Sequence, residues 1–316
     1  LAKIAQKPVK QGKIRFYPKS FEKGYLTWLD NVRDWCISRQ LWWGHRIPLK
    51  GEVDVLDTWF SAALWPFATL GWPKKTKDLK DFYPTNVLST ARDIMNLWVA
   101  RMIFSGMEFP KQIPFEKVYI HATVLTKEGK RMSKSLGTGT DPMDLIEKFG
   151  ADATRFGILF QVMGLQDIKF SEENIVMGKK FCNKIWNASR FLLLQTGNKT
   201  YTVKSKKPKP ITAADKKILK KLEETTKSVN AYLDNFQFGQ ASHKVYDFFW
   251  HDFCDTYIEE SKKQKEKEQT QQILFYVLLN SLRLLHPFIP FITEEIYQKL
   301  PIKNKEKSLM VETWPT

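Results

Sequence analysis

The strongest constraint on the fold is a change of hydrophobic period near residue 170. From 171 to 316, apolar side chains recur at helical spacing almost without pause, predicting helices at about 172–195, 213–233, 239–262, 269–286 and 291–299. Before that point, short β-rich runs alternate with helical patterns, and most of the Pro and Trp residues fall there. A chain with two such grammars predicts an α/β part followed by an all-α helical bundle. Its 316 residues give room for both.

Within the first part, Asn86–Ser89 reads as a short strand after Tyr83-Pro84. Asp93–Phe104 follows with Ile94, Leu97, Trp98 and Met102 at helical spacing, closed by Gly106. Lys117–Ala122 is a second strand, continuing to Val124-Leu125 and a Lys-Glu-Gly turn at 127–129. Asp141 then caps a helix over Met143–Phe149, with Pro142 at its first position. Strand, helix, strand, loop, helix predicts a parallel sheet whose site lies at the carboxyl ends of its strands.

A chain that is 43% hydrophobic and 14% aromatic is not a disordered one. Fifty Lys and Arg against 34 Asp and Glu leave a formal charge of +16, and such a surplus points to a polyanion, nucleic acid first. Lys-rich solvated faces alone would give the same balance. Cys36, Cys182 and Cys254 lie far apart without metal-ligand spacing, so neither a disulfide framework nor a structural metal is expected, and a reducing cytoplasm fits. No apolar stretch is long enough to span a bilayer, and the first residues lack the apolar core of a signal peptide. The first residue is Leu, so residues preceding it are expected in the natural protein.

The segment Lys130-Arg131-Met132-Ser133-Lys134-Ser135-Leu136-Gly137-Thr138-Gly139-Thr140 places cations and hydroxyls in a Gly-containing loop before a helix. A triphosphate needs cations to neutralise charge developing on a leaving pyrophosphate, and a hinge to bring them in. By composition alone, a solvated basic turn fits as well. The Walker pattern GxxxxGK[ST] is absent.

The exact string resolves that ambiguity by resemblance. Arg131-Met132-Ser133-Lys134-Ser135 resembles the KMSKS signature of class I aminoacyl-tRNA synthetases, with Arg in place of the first Lys. The likeness narrows to the valyl branch through Trp28–Pro48, Asp54–Pro73, Gly150-Ala-Asp-Ala-Thr-Arg-Phe, Asn183-Lys-Ile-Trp-Asn-Ala-Ser-Arg-Phe and Leu285-His-Pro-Phe-Ile-Pro-Phe-Ile-Thr-Glu-Glu-Ile. It covers essentially all of residues 15–316. The resemblance implies a partial Rossmann-like catalytic domain followed by a helical anticodon-binding domain. The divisions it implies are a residual strand and linker from the editing insertion at 1–20, the second half of the catalytic domain at 21–170, and the anticodon-binding bundle at 171–316.

The resemblance also assigns roles. Lys134 would stabilise the transferring phosphates, with Arg131 in the accessory cationic position and Met132, Ser133 and Ser135 completing the ATP loop. Asp93, in Thr90-Ala91-Arg92-Asp93-Ile94, would accept hydrogen bonds from the ATP ribose; without the family, a helix N-cap fits it equally. The family commonly has Gly where Ala91 stands, so a methyl narrows the approach of the adenosine. Trp43 and Trp98 match the walls of the amino-acid pocket, although Trp98 also fits the buried helical stripe. Lys180, Lys184, Arg190, Lys206, Lys207 and Lys209 would meet tRNA phosphates. His45 and His121 receive no catalytic role, because the carboxylate of the amino acid itself attacks the α-phosphate.

The implied partners are tRNA(Val), valine and ATP with Mg2+, with no membrane and a monomer favoured. The implied activity is ATP-dependent formation of valyl-adenylate and transfer to tRNA. No His-x-Gly-His motif occurs, and only Leu-Lys-Gly-Glu-Val separates Pro48 from Asp54, where the family usually carries a longer insertion. A chain of this extent resembles the second half of a synthetase and is expected to be inactive alone. An isoleucyl or leucyl synthetase fragment, or a non-catalytic tRNA-binding descendant, is the alternative; Leu41–Arg46 and Asp57–Phe60 argue for valyl.

Overall fold

The computed structural model describes residues 1–133, 137–164, 167–196, 207–264, 267–303 and 305–316. The chain divides into two compact units, Leu1–Thr123 and Val124–Thr316.

The first unit runs α1 (Ala2–Lys10), β1 (Arg15–Tyr17), α2 (Ser20–Asp30), β2 (Ser38–Arg39), β3 (Val55–Leu56), α3 (Thr58–Ala68), α4 (Lys77–Phe82), β4 (Thr85–Ala91), α5 (Ala100–Glu108) and β5 (Phe115–His121). β1, β5 and β4 form a three-stranded parallel sheet in that order. Arg15 lies opposite Lys117 on one side of β5, and Ala91 opposite His121 on the other. Residues 1–20, expected as a residual strand and linker, thus supply a helix and an edge strand of the sheet.

The sheet and its helices share one core. Ile14, Phe16, Val118 and Ile120 meet Ala5, Val9, Tyr25, Leu29, Val99, Met102 and Ile103. Fully burying a side chain such as Ile or Met contributes about 1.5–3 kcal/mol, so this cluster decides where α1, α2 and α5 lie.

Asp93–Phe104, expected as one helix, is three segments. A 3-10 turn at Arg92–Ile94 leads into a π-helical stretch at Met95–Val99 and then α5. Apolar spacing alone does not distinguish hydrogen bonds to i−4 from those to i−5, which is why the pattern reads as uninterrupted. The run after His121 also differs: Val124–Leu125 is a separate strand, β6, paired in parallel with β7 (Ile168–Lys169) in the second unit.

The second unit continues with α6 (Pro142–Phe149), α7 (Ala151–Leu159), α8 (Glu172–Thr196), α9 (Ala213–Asp234), α10 (Phe238–Asp247), a π-helical stretch at Phe248–Ile258, α11 (Glu259–Ser261), α12 (Lys267–Leu285) and α13 (Pro290–Lys299). Asp141 caps α6, accepting from Met143 N at 2.8 Å. α9 opens on a capping box: Asp215 N donates to Thr212 Oγ1 at 3.1 Å and Thr212 N to Asp215 Oδ2 at 2.9 Å. The core of the bundle joins Phe156, Phe181, Ile185, Leu222, Phe249, Phe253, Leu278 and Tyr297 among others.

Two segments singled out in the sequence meet here. Asp152 of α7 accepts from Phe291 N at 3.2 Å and Ile292 N at 2.6 Å, satisfying the first turn of α13. Arg155 donates to the carbonyls of Pro287 at 3.0 Å and Phe288 at 3.3 Å.

Candidate active site

In the first unit, the carboxyl ends of parallel strands β4 and β5 stand side by side, since Ala91 pairs with His121. Asp93 lies two residues past that edge, exposed, inside the 3-10 turn. None of the three helical segments that begin there has a side-chain cap, so Asp93 is not the helix N-cap that its position also permits. A carboxylate beyond a strand end in a parallel sheet is where such folds bind ligands. His121 Nδ1 lies 3.0 Å from Ala122 O and the side chain is exposed.

Trp98 falls in the π-helical stretch, half-buried, with Nε1 donating to Ala62 O of α3 at 3.0 Å and its ring 6.2 Å from that of Trp65. Trp43 lies between β2 and β3 and is 90% exposed, beside Trp42 at 97%. The segment is held by backbone: Arg46 bridges Val55, and Leu56 N donates to His45 O at 2.8 Å. Gly44, with φ +147°, lets Val55 approach; an added Cβ would lie 2.9 Å from that side chain. The structure therefore presents both tryptophans from one unit, one anchored and one open, with no ring contact between them among the described residues.

In the second unit, the signature loop springs from a small hairpin. Gly129 N donates to Thr126 O at 2.9 Å, Thr126 N to Lys130 O at 2.8 Å, and Arg131 bridges Leu125 of β6. β6 is in turn paired with β7, and Phe170 N donates to Leu125 O at 2.8 Å. Arg131 is exposed, Met132 and Ser133 are half-buried, and Ser133 is joined to Thr138. Ser133 N donates to Thr138 Oγ1 at 3.0 Å and Thr138 N to Ser133 O at 3.2 Å. Lys134 and Ser135 lie outside the described residues. The clasp by Thr138 is a feature that sequence reasoning missed; a Thr among glycines carries no signal of its own.

The basic residues of the bundle differ in their surroundings. Lys180, Arg190 and Lys209 are exposed. Lys184 pairs with Asp255 at 2.8 Å and lies 5.2 Å from the Trp250 ring centroid, while Lys207 pairs with Glu223 at 2.5 Å. The carboxylate of Asp255 holds the Lys184 ammonium above its ordinary pKa against the opposing effect of burial. Lys206 lies outside the described residues. Among the described residues, no group of three His, Cys, Asp or Glu side chains gathers as a metal site, and no helix is long and apolar enough to cross a membrane.

The family model described as tRNA synthetases class I (I, L, M and V) matches residues 1–50 and 48–171, and that of the anticodon-binding domain of tRNA ligase matches 215–316. The chain belongs to the class I aminoacyl-tRNA synthetases of this group. Within it, the chain is similar to valine–tRNA ligases: 48% identical to that of Clostridium tetani over all of this chain, and 46% to that of Bacillus subtilis over 97%. It spans 39% of the length of the first of these relatives and 38% of the second. Among solved structures, methionyl-tRNA synthetase of Mycobacterium tuberculosis in complex with methionyl-adenylate matches 94% of this chain and 60% of that one, with TM-score 0.78 at 18% identity. A leucyl-tRNA synthetase of Agrobacterium radiobacter K84, in a ternary complex with tRNA and LeuAMS, gives TM-score 0.69 at 18% identity over 94% of this chain and 36% of that one. These two likenesses establish the fold.

Proposed function

We propose that this chain is the second half of the catalytic domain and the anticodon-binding bundle of a valine–tRNA ligase, working in the cytoplasm on valine, ATP and tRNA(Val). The observation that carries the reading is the 48% identity to a valine–tRNA ligase along the whole chain. The relatives favour the valyl reading over isoleucyl or leucyl ones. In this reading residues 21–170 serve catalysis and 171–316 the tRNA, with 1–20 as the entry to the catalytic part.

The chemistry follows from charge and position. The valine carboxylate attacks the α-phosphate of ATP, pyrophosphate leaves, and the acyl group then passes to the terminal ribose of the tRNA. No general base is required in the first step, so the protein supplies orientation and positive charge. Asp93 holds the ribose through its hydroxyls. Lys134 and Arg131 neutralise the departing pyrophosphate, with Met132, Ser133 and Ser135 shaping the loop. Magnesium accompanies ATP as part of the substrate. Trp43 and Trp98 enclose the branched side chain by apolar contact, which separates near-isosteres by only about 100-fold.

The deciding experiment is valine-dependent ATP–pyrophosphate exchange by the full-length polypeptide carrying this chain. Exchange that responds to valine well ahead of isoleucine and leucine, and that drops by about 100-fold or more in Lys134→Ala while tRNA affinity holds, is the expected result. Exchange unaffected by Lys134→Ala removes that residue from the mechanism, and exchange driven by isoleucine or leucine instead overturns the valyl assignment.

A further inference from the structure

The residue that ties the basic segment of the second unit together lies outside the Arg131–Ser135 string. On one side of that string, Arg131 bridges Leu125 of β6, and Lys130 N donates to Thr126 Oγ1 at 3.2 Å. On the other side, Asp141 caps α6, whose Leu145 shares a buried cluster with Ala153 of α7 and Ile175 of α8. One limb is thus held by the β6–β7 ladder and the other by packed helices. Between these ties stands the pairing of Thr138 with Ser133. Thr138 Oγ1 accepts from Ser133 N at 3.0 Å, and Ser133 O accepts from Thr138 N at 3.2 Å. Both backbone polar groups of Ser133 are therefore served by one residue. Any residue except Pro could make the second bond, but the first needs a side-chain acceptor, which the Thr hydroxyl supplies. Gly137, immediately before it, has φ +63°, and nothing lies within 4 Å of an added Cβ. That glycine answers to the left-handed backbone of the turn and not to a lack of space.

We propose that Thr138 is a positioning residue for ATP. By holding Ser133 at both its N–H and its carbonyl, it fixes the limb Arg131–Ser133 before the nucleotide arrives, so that the phosphates meet cationic backbone already in order. Thr138 acts through Ser133 and needs no contact with substrate. Freezing a limb beforehand removes an ordering cost that ATP binding or the transition state would otherwise carry. Thr138 is exposed, so water competes for its hydroxyl and the effect is a modest one. This rests on the reading of Arg131–Ser135 as the ATP loop.

The test uses two substitutions in the full-length polypeptide, read by valine-dependent ATP–pyrophosphate exchange. Thr138→Val removes the hydroxyl and keeps the branched shape and the N–H; Thr138→Ser keeps the hydroxyl and removes only a methyl. Thr138→Val is expected to lower kcat/KM for ATP by roughly fivefold, the worth of one neutral hydrogen bond, with KM for valine and tRNA affinity within twofold of wild type. Thr138→Ser is expected to stay within twofold in every constant. A kcat/KM for ATP within twofold of wild type in Thr138→Val overturns the assignment, since the bond then does nothing for the nucleotide. Equal losses in both variants overturn it too, because the shape of the side chain and not its oxygen is then what matters. A matching rise in KM for valine marks a general structural disturbance and overturns it likewise. Where Thr138→Val does not fold, Thr138→Ala removes the same oxygen and is read in its place. Absence of valine-dependent exchange in the unsubstituted protein instead fails the functional reading beneath the proposal.

Discussion

Cys36 is exposed, and its thiol is held below the usual cysteine range, first by hydrogen bonding to the Ser38 hydroxyl and backbone, with the Arg39 charge adding to it. Burial acts in the opposite direction on Cys182 and Cys254, whose thiols are pushed up to about 12. Because only the thiolate reacts, iodoacetamide at pH 7.5 is expected to modify Cys36 about 100-fold faster than either of the others, read by peptide mass spectrometry. The Cys36 rate should climb with pH and level off earlier than for a free cysteine, since the group ionises sooner. Comparable labelling of Cys182 in folded protein would contradict this. At the same scale Asp57 shows what a sequence conceals. Its place one residue before a helix announces a cap. Its pairing with Arg39, and the charge it shares with Arg101, depend on tertiary contacts for which no local spacing exists.

Among the elements, the long helices of the second unit were the most legible. The expected spans 172–195, 213–233 and 291–299 correspond to α8, α9 and α13 within one residue at each end, because their apolar stripes repeat over several turns. The π-helical stretches within Met95–Val99 and Phe248–Ile258 were not legible, since an added residue per turn leaves the apolar count nearly unchanged. Strand partners were equally hidden: a two-residue strand such as β6 carries no mark of pairing with β7 rather than extending β5. The string Arg131–Ser135 stands out in the sequence because its residues are contiguous, whereas the clasp of Ser133 with Thr138 depends on a contact that no spacing marks. The approach of α7 to α8 rests on glycines. A Cβ on Gly157 of α7 would lie 2.6 Å from Ile175 Cα of α8, and one on Gly178 would lie 2.6 Å from Ala153 O. Both neighbours are backbone, so neither yields without moving a helix. Gly157→Ala is expected to cost about 1–3 kcal/mol in urea unfolding. A loss under about 0.5 kcal/mol would mean that the two helices separate freely.

At the scale of the whole molecule the +16 charge is distributed unevenly in its usefulness. Lys184 and Lys207 are engaged with Asp255 and Glu223, while Lys180 and Arg190 stand exposed on α8. If tRNA binds along that face, the double substitution Lys180→Ala with Arg190→Ala should lower the slope of log affinity against log salt by roughly 0.7–0.9 for each phosphate that is no longer neutralised. Lys184→Ala should change it less. Equal slopes for all three proteins, measured by filter binding at a series of salt concentrations, place the tRNA elsewhere. The meeting of Asp152 with the first turn of α13 has a consequence of its own. These groups are 139 and 140 residues apart, and with Arg155, 132 and 133 residues from its two carbonyl partners, they close the second unit by joining an early helix to a late one. During synthesis, α7 leaves the ribosome long before the backbone amides it serves have been made. Until then the Asp152 carboxylate and the Arg155 guanidinium stay in water without these partners, so this closure forms only after α13 has been made.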